Sequence, residues 1–527
     1  MATDTGTERG NGGLSVSVTL VAGAIAALVL TPALWLLFGA FEARGSLGLL
    51  LADTTVEVFV NSVLLAVGVT VASIAIAVPL AYLTVRTDLP GKRLFTVLLS
   101  MPLVVPSYIG AFAFVWLFGP GGWVSDVLGT VGLDSPSIYG LWGSVLVLTL
   151  YTYPYVFITT RAALKTMDTA LVDAARTLRH TRWEAFKRVT FPQIRPAIAA
   201  GSLLVSLYAL SDFGTPQIMR YDVFTRVIYS ARAYDFDLAL LLSLQLVVVT
   251  LFILAVEARV RGSGVRSEHP GRQPTPVRLG RWTLPAMAAC LLVPLVALAV
   301  PLGVLSHWLT AGTASYSLTF QPRYGAASAV LSLGAAVVAA LCALPLAYVG
   351  ARRRGLLAAV IERASYVGYA VPGVVIGLAF VFFGARYIGE GYSSVAVAIP
   401  LLVFAYVVRF LPQAVGSTRT SFERISPTLG EAARTLGESP GGAFRRVTLP
   451  LVAPGLLGGA ALVFLTTMKE LPATLLLLPG SHTLVTYLWT AERAGYYGQA
   501  ALPAFALLAV SACSLLVMLK LEGYDVE

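Results

Sequence analysis

Few residues in this chain could do covalent chemistry. Its four histidines, His180, His269, His307 and His482, lie far apart and make no metal-ligand spacing. Cys290, Cys342 and Cys513 each sit inside an apolar run, and an odd number there argues against a disulfide framework. A phosphate-binding loop needs G-x-x-x-x-G-K-[ST], with backbone amides cradling the phosphates. Gly91-Lys92 is followed by Arg93 and lacks the upstream glycine. No catalytic residue, metal site or ATP site is therefore expected. What remains are isolated charges in apolar surroundings. Asp212 lies in Ser211-Asp212-Phe213-Gly214-Thr215-Pro216, and Lys469 and Glu470 open Lys469-Glu470-Leu471-Pro472-Ala473-Thr474. Charges at membrane depth are candidates for a pathway or gate. The plainer alternative is that each carboxylate caps a helix or pairs locally, Glu470 with Lys469.

The elements that hold these residues are membrane spans. Apolar residues make up 57% of the 527 residues, charged residues 12%, and the mean hydropathy is +0.79. A soluble domain carries roughly 25% charged residues. Runs long enough to cross a bilayer fall at 14–41, 57–85, 94–119, 138–160, 194–214, 238–258, 282–306, 324–350, 357–385, 393–413, 451–475 and 498–520. They predict an all-α membrane protein of about twelve transmembrane helices. The net charge is +10. With the N-terminus on the cytoplasmic side, 28 Lys and Arg fall in cytoplasmic segments and 8 outside. This bias predicts that both termini are cytoplasmic, and it explains the basic charge without nucleic acid.

The chain repeats itself. Ser62, Pro79-Leu80-Ala81-Tyr82 and Val105-Pro106 return as Ser328, Pro345-Leu346-Ala347-Tyr348 and Val371-Pro372, an offset of 266. Asp173-Ala174-Ala175-Arg176-Thr177-Leu178 returns as Glu431-Ala432-Ala433-Arg434-Thr435-Leu436, and Val189-Thr190-Phe191-Pro192 as Val447-Thr448-Leu449-Pro450, an offset of 258. Asp212 and Glu470 are mates at that same offset. Six spans followed by six predict two parallel repeats, with a pathway between the halves. The halves are expected at 1–258 and 282–527, joined by a cytoplasmic linker at 259–281.

One long cytoplasmic loop is expected in each half, at 165–193 and 421–450. Each reads as a small-residue helix, a break, and an amphipathic segment ending at proline. A short helix projecting from a membrane bundle suits docking into a groove on a soluble partner.

Glu431-Ala432-Ala433, Gly437 and Val447-x-Leu449-Pro450 closely resemble the EAA loop of binding-protein-dependent ABC importer permeases. The first copy is similar in Asp173, Ala174, Ala175 and Pro192, but Asp173 replaces Glu, Arg179 stands at the glycine position and Phe191 replaces Leu. The resemblance implies a type I importer permease architecture. It implies that both loops couple to a cytoplasmic ATP-binding subunit, present in two copies. ATP and Mg would be bound on that subunit and no cofactor on this chain. It further implies an extracytoplasmic solute-binding protein, a location in the cell membrane among its lipids, and alternating access. The stretches around Asp212 and Lys469-Glu470 look like the fused permeases of the ferric-iron importer group, with thiamine and phosphonate importers as relatives. Ferric iron is the expected cargo, with thiamine or phosphonate as alternatives. An ion-coupled secondary transporter or a membrane scaffold is a competing class, and a co-purifying ATPase would tell these apart.

Overall fold

The computed structural model describes residues 9–134, 137–167, 181–261, 276–310, 320–353, 355–426, 428–480 and 482–521. Within them the backbone is helical apart from connecting turns and one isolated β-bridge, Thr87 to Val277. The first repeat comprises α1 (Arg9–Val29), α2 (Thr31–Glu42), α3 (Asp53–Arg86), α4 (Lys92–Ser100), α5 (Ser107–Phe118), α6 (Trp123–Thr130), α7 (Leu141–Thr166), α8 (Phe191–Ser211), α9 (Gly214–Ile218), α10 (Phe224–Ala231) and α11 (Phe236–Arg261). The second comprises α12 (Thr283–Thr310), α13 (Pro322–Arg352), α14 (Leu356–Ser365), α15 (Gly373–Phe383), α16 (Val395–Arg424), α17 (Thr428–Thr435), α18 (Leu449–Thr467), α19 (Pro472–Leu477), α20 (Leu484–Arg493) and α21 (Tyr497–Leu521). Ten helical stretches among the described residues are long and apolar enough to cross a membrane. Val16–Val29, Gly373–Ile388 and Tyr497–Cys513 are shorter apolar helices. Lipid offers no partner to a backbone N–H, so each crossing segment must satisfy its own hydrogen bonds as a helix.

Two of the expected runs, 94–119 and 357–385, are not continuous helices. Each is broken at the repeated Val-Pro. Val105 turns to ψ 116° and Val371 to ψ 115°, and Pro106 and Pro372 then start α5 and α15. Proline clashes with a helical preceding residue and pushes it to an extended conformation. Tyr153 donates its hydroxyl to the carbonyl of Leu99, at 2.8 Å, near the end that the break leaves open.

The chain forms two compact units, Gly45–Ser315 and Met1–Arg44 with Tyr316–Glu527. One unit thus takes α12 from the second repeat, and the other takes α1 and α2 from the first. In the first, α12 packs on α4 and α5, and its Cys290 lies fully buried in a core with Leu99, Tyr153 and Phe157. In the second, α1 packs on α13 and α14, and α2 packs on α15. Trp35 of α2 meets Phe383 and Tyr387 with ring centroids 5.1 and 4.8 Å apart.

The sequence runs did not anticipate the short helix pairs α9–α10 and α19–α20, which fold back between the fifth and sixth spans of each repeat. Ser62 of α3 accepts a hydrogen bond from Phe224 N at 2.9 Å, and Ser328 of α13 accepts one from Leu484 N at 2.9 Å. Both amides open a short helix, where N–H groups have no intrahelical partner. The repeated serine is therefore a cap supplied by another helix.

Candidate functional site

The second-repeat loop is built around α17, a two-turn helix with no buried residue. Glu431 lies in its first turn, at the positive end of the helix dipole. Ala432 is exposed, Ala433 half-buried, and Leu436 at the far end is 87% exposed. Gly437 then takes φ +94°. Its N–H bonds the Arg434 carbonyl at 3.0 Å, and Glu438 N–H bonds the Ala433 carbonyl at 3.1 Å. This paired pattern is a Schellman ending, which needs a left-handed residue and so favours glycine. Ser439 starts the next turn and accepts from Gly442 N at 3.0 Å. Arg446 pairs with Glu438 across the turn.

The arm then runs into its membrane helix through a π-turn at Phe444–Thr448, and Pro450 lies at the second position of α18. The first repeat has the same device. A π-turn spans Phe186–Thr190 and Pro192 is second in α8. Proline has no N–H to give the residue four back, and the ladder widens there: Phe191 N bonds Phe186 O and Leu449 N bonds Phe444 O. Thr181, the mate of Ser439, exchanges bonds with Glu184, accepting from Glu184 N at 3.2 Å. The repeated Pro-Leu-Ala-Tyr serves this arm. Tyr82 meets Phe186 edge-on at 5.5 Å, and Tyr348 packs in one cluster with Phe444, Ala347 and Phe422. Asp173, Ala174, Ala175 and Arg179 lie outside the described residues.

The helix α18 has 19 residues, about 28 Å at 1.5 Å per residue, and this separates Pro450 from Glu470. Glu470 is 5% exposed. Its carboxylate accepts from Ala473 N at 3.1 Å, Thr474 N at 3.2 Å and Thr474 Oγ1 at 2.9 Å. It therefore caps α19, and its bonds go there rather than to Lys469, which is half-buried. Asp212 does the same for α9, accepting from Thr215 N at 2.8 Å and from Ser107 Oγ. The mate of Ser107 is Gly373, where a Cβ would come within 2.6 Å of both Arg409 Nη1 and Glu470 Oε1. Ser with Asp in one repeat thus becomes Gly with the longer Glu in the other. Beneath Glu470 is a cavity of about 10 Å³, bordered by Ser332, Tyr406 and Thr467, room for roughly one water. Their mates are Ala66, Leu148 and Ala209, all buried and apolar.

These two constellations, a two-turn loop helix with a glycine stop and a carboxylate-capped short helix, occur on a duplicated helical frame. The model of the family described as "Binding-protein-dependent transport system inner membrane component" matches twice, at residues 68–261 and 335–522. The chain belongs to that family. It is a fused two-half permease of an ABC importer. Permeases of this family work with an ATPase and a binding protein. The permease is 30% identical over 488 residues to the "Fe(3+)-transport system permease protein FbpB 2" of Haemophilus influenzae, covering 90% of this chain and 92% of the relative. It is 26% identical over 482 residues to the "Ferric transport system permease protein FbpB" of Actinobacillus pleuropneumoniae, covering 84% and 68%. A "Probable molybdenum ABC transporter permease protein" of Haloferax volcanii is 32% identical over 206 residues, covering 38% of this chain and 72% of the relative.

Sequence reasoning names Glu431, Gly437, Pro450, Asp212 and Glu470 as candidates and does not single out Arg352, Arg409 or the capping residues Thr181 and Ser439. For Arg352 the signal was present, because Arg86 stands 266 residues earlier.

Proposed function

We propose that this permease imports ferric iron, in the cell membrane, with both termini cytoplasmic. The observation that carries the cargo is the Haemophilus influenzae relative, alike along nine-tenths of both chains and named for Fe(3+) transport. Two ATP-binding subunits dock on it, one on each loop, and a solute-binding protein delivers the cargo on the opposite face. Exposed Leu436 and the flat Ala432 face support docking of α17 in a groove on the ATPase. ATP and Mg stay on that subunit. ATP binding draws the two loops together and opens the bundle outward, and hydrolysis resets it. Asp173, Ala174, Ala175, Arg179 and Pro192 serve the first loop, and Glu431, Ala432, Ala433, Gly437 and Pro450 the second. Asp212 and Glu470 act at the gate by seating α9 and α19, with Lys469 next to Glu470 in the chain.

The test is uptake of labelled ferric iron under iron limitation, in cells with and without the gene. Loss on deletion, restored by the intact gene, supports iron. The Haloferax volcanii relative, named for molybdenum transport, favours a second reading, molybdenum, tested as its oxyanion. Intact iron uptake with lost molybdate uptake would establish that one instead.

A further inference from the structure

In the importer function proposed above, on which this inference rests, the second loop must transmit force from the ATPase to the bundle. The base of this loop is held by two arginines. Arg352, the last residue of α13, donates through Nη2 to the carbonyls of Phe422, at 3.1 Å, and Ile425, at 2.7 Å. These carbonyls end α16, where a helix leaves its acceptors unmet and carries partial negative charge. One turn earlier, Arg419 of α16 binds Glu362 of α14 through Nη1 and Glu423 through Nε, the latter at 2.8 Å. Only two positions separate Ile425 from Thr428, where α17 begins, and Ser426 Oγ meets Thr428 Oγ1 at 2.7 Å.

These bonds tie the end of α16, from which the loop leaves, to the α13–α14 pair. From α14 the chain runs through the Val371-Pro372 break into α15, whose first residue, Gly373, lies against Arg409 and Glu470. Helix α15 in turn packs on α19. A chain of packed contacts thus runs from the end of α16, where the loop begins, to α19, which lies beyond the roughly 28 Å of α18.

The first repeat is wired differently. Arg86 and Arg161 match Arg352 and Arg419, but Thr96 replaces Glu362 and Lys165 replaces Glu423. Both acids that hold Arg419 are absent from the matching positions. We propose that Arg352, Arg419 and Glu362 form a positioning staple, and that it makes the second loop the one whose movement is transmitted to the gate. Stability is not its main effect. The Arg419 and Glu362 side chains are 30% and 29% exposed, and ion pairs so exposed contribute little to folding.

The experiment uses the full permease with its ATPase in vesicles supplied with the binding protein. Labelled ferric iron moved and phosphate released are measured together. Glu362→Gln and Arg352→Met should each lower iron moved per ATP by roughly fivefold, the low end of a typical coupling between sites. Hydrolysis should persist. The full charge reversal, Glu362→Arg with Arg419→Glu and Glu423→Arg, should restore the ratio, which a loss of folding would not allow. Thr96→Val, at the matching place in the first repeat, should leave it unchanged. An unchanged ratio in both single variants would overturn the staple. So would parallel losses of transport and hydrolysis that the reversal fails to mend. If wild-type vesicles hydrolyse ATP but carry no iron, iron is removed from the functional reading. Stimulation of hydrolysis by the binding protein then carries the same comparison.

Discussion

Single side chains in this permease act mainly as caps for helices other than their own. Ser328 and Ser62 reach from long spans to the first amides of α20 and α10. Removing one leaves a buried N–H without a partner, which costs about 1–3 kcal/mol. Ser328→Ala should destabilise the detergent-solubilised protein by that amount in a thermal unfolding experiment, whereas Ser328→Thr should lose less. Glu492, near the end of α20, is a different case. Partial burial pushes its carboxyl up from 4.5 to about 7, against the pull of Arg493. A raised carboxyl favours the folded state while it is protonated. That contribution is full below pH about 4.5 and is lost as pH rises through about 7. Stability should therefore decline across this window in the native protein, and Glu492→Gln should flatten the decline. Equal pH profiles for the two proteins would show that Glu492 is not the cause. Neither serine is conspicuous in composition. Only the offset of 266 marks them, and only the folded chain shows what they bond.

At the scale of elements, proline and glycine set the shape. Val-Pro breaks two spans, Pro192 and Pro450 widen the helix into π-turns, and Gly437 stops α17. The glycine matters because its φ of +94° is a left-handed conformation that costs other residues about 1–2 kcal/mol. Replacing Glu431 and Gly437 together with alanine should leave the bundle folded, since α17 buries nothing. It should also strip ATP hydrolysis of its effect on uptake. Far-ultraviolet circular dichroism and iron uptake check the two halves of this statement, and normal uptake would sink the role assigned to the loop. The loop was legible in the sequence because its small residues, glycine and proline occur in a fixed order. The short helices α9, α10, α19 and α20 were not. Each has 5–10 residues, too few for periodicity to stand out against apolar neighbours.

The whole molecule is divided differently from its sequence repeats. Helices α1 and α2 belong to the unit that holds the second repeat, and α12 belongs to the other. A chain cut in the linker 259–281 should therefore hold together. With a protease site placed there, the two fragments should co-purify after cleavage in mild detergent and should still take up iron when reconstituted. Fragments that separate under those conditions would mean that the exchanged helices contribute little to cohesion.

Sequence alone determined that the chain crosses a membrane, that it is helical and that it is duplicated, and the resemblance of its second loop to a known motif pointed to a permease. Those properties depend on composition, run length and residue order, which are local and additive along the chain. Tertiary structure decided which unit each helix joins, where two spans break, and what the two carboxylates do. Asp212 and Glu470 stand out as charges in apolar sequence, yet whether such a group faces a pathway or caps a helix depends on which amides come within hydrogen-bond reach of it. Those amides are near in sequence, but the backbone turn that aims them at the carboxylate is set by packing. Arg352 shows the limit most clearly: its acceptors lie 70 and 73 residues away, and no pattern along the chain connects residues that only folding brings together.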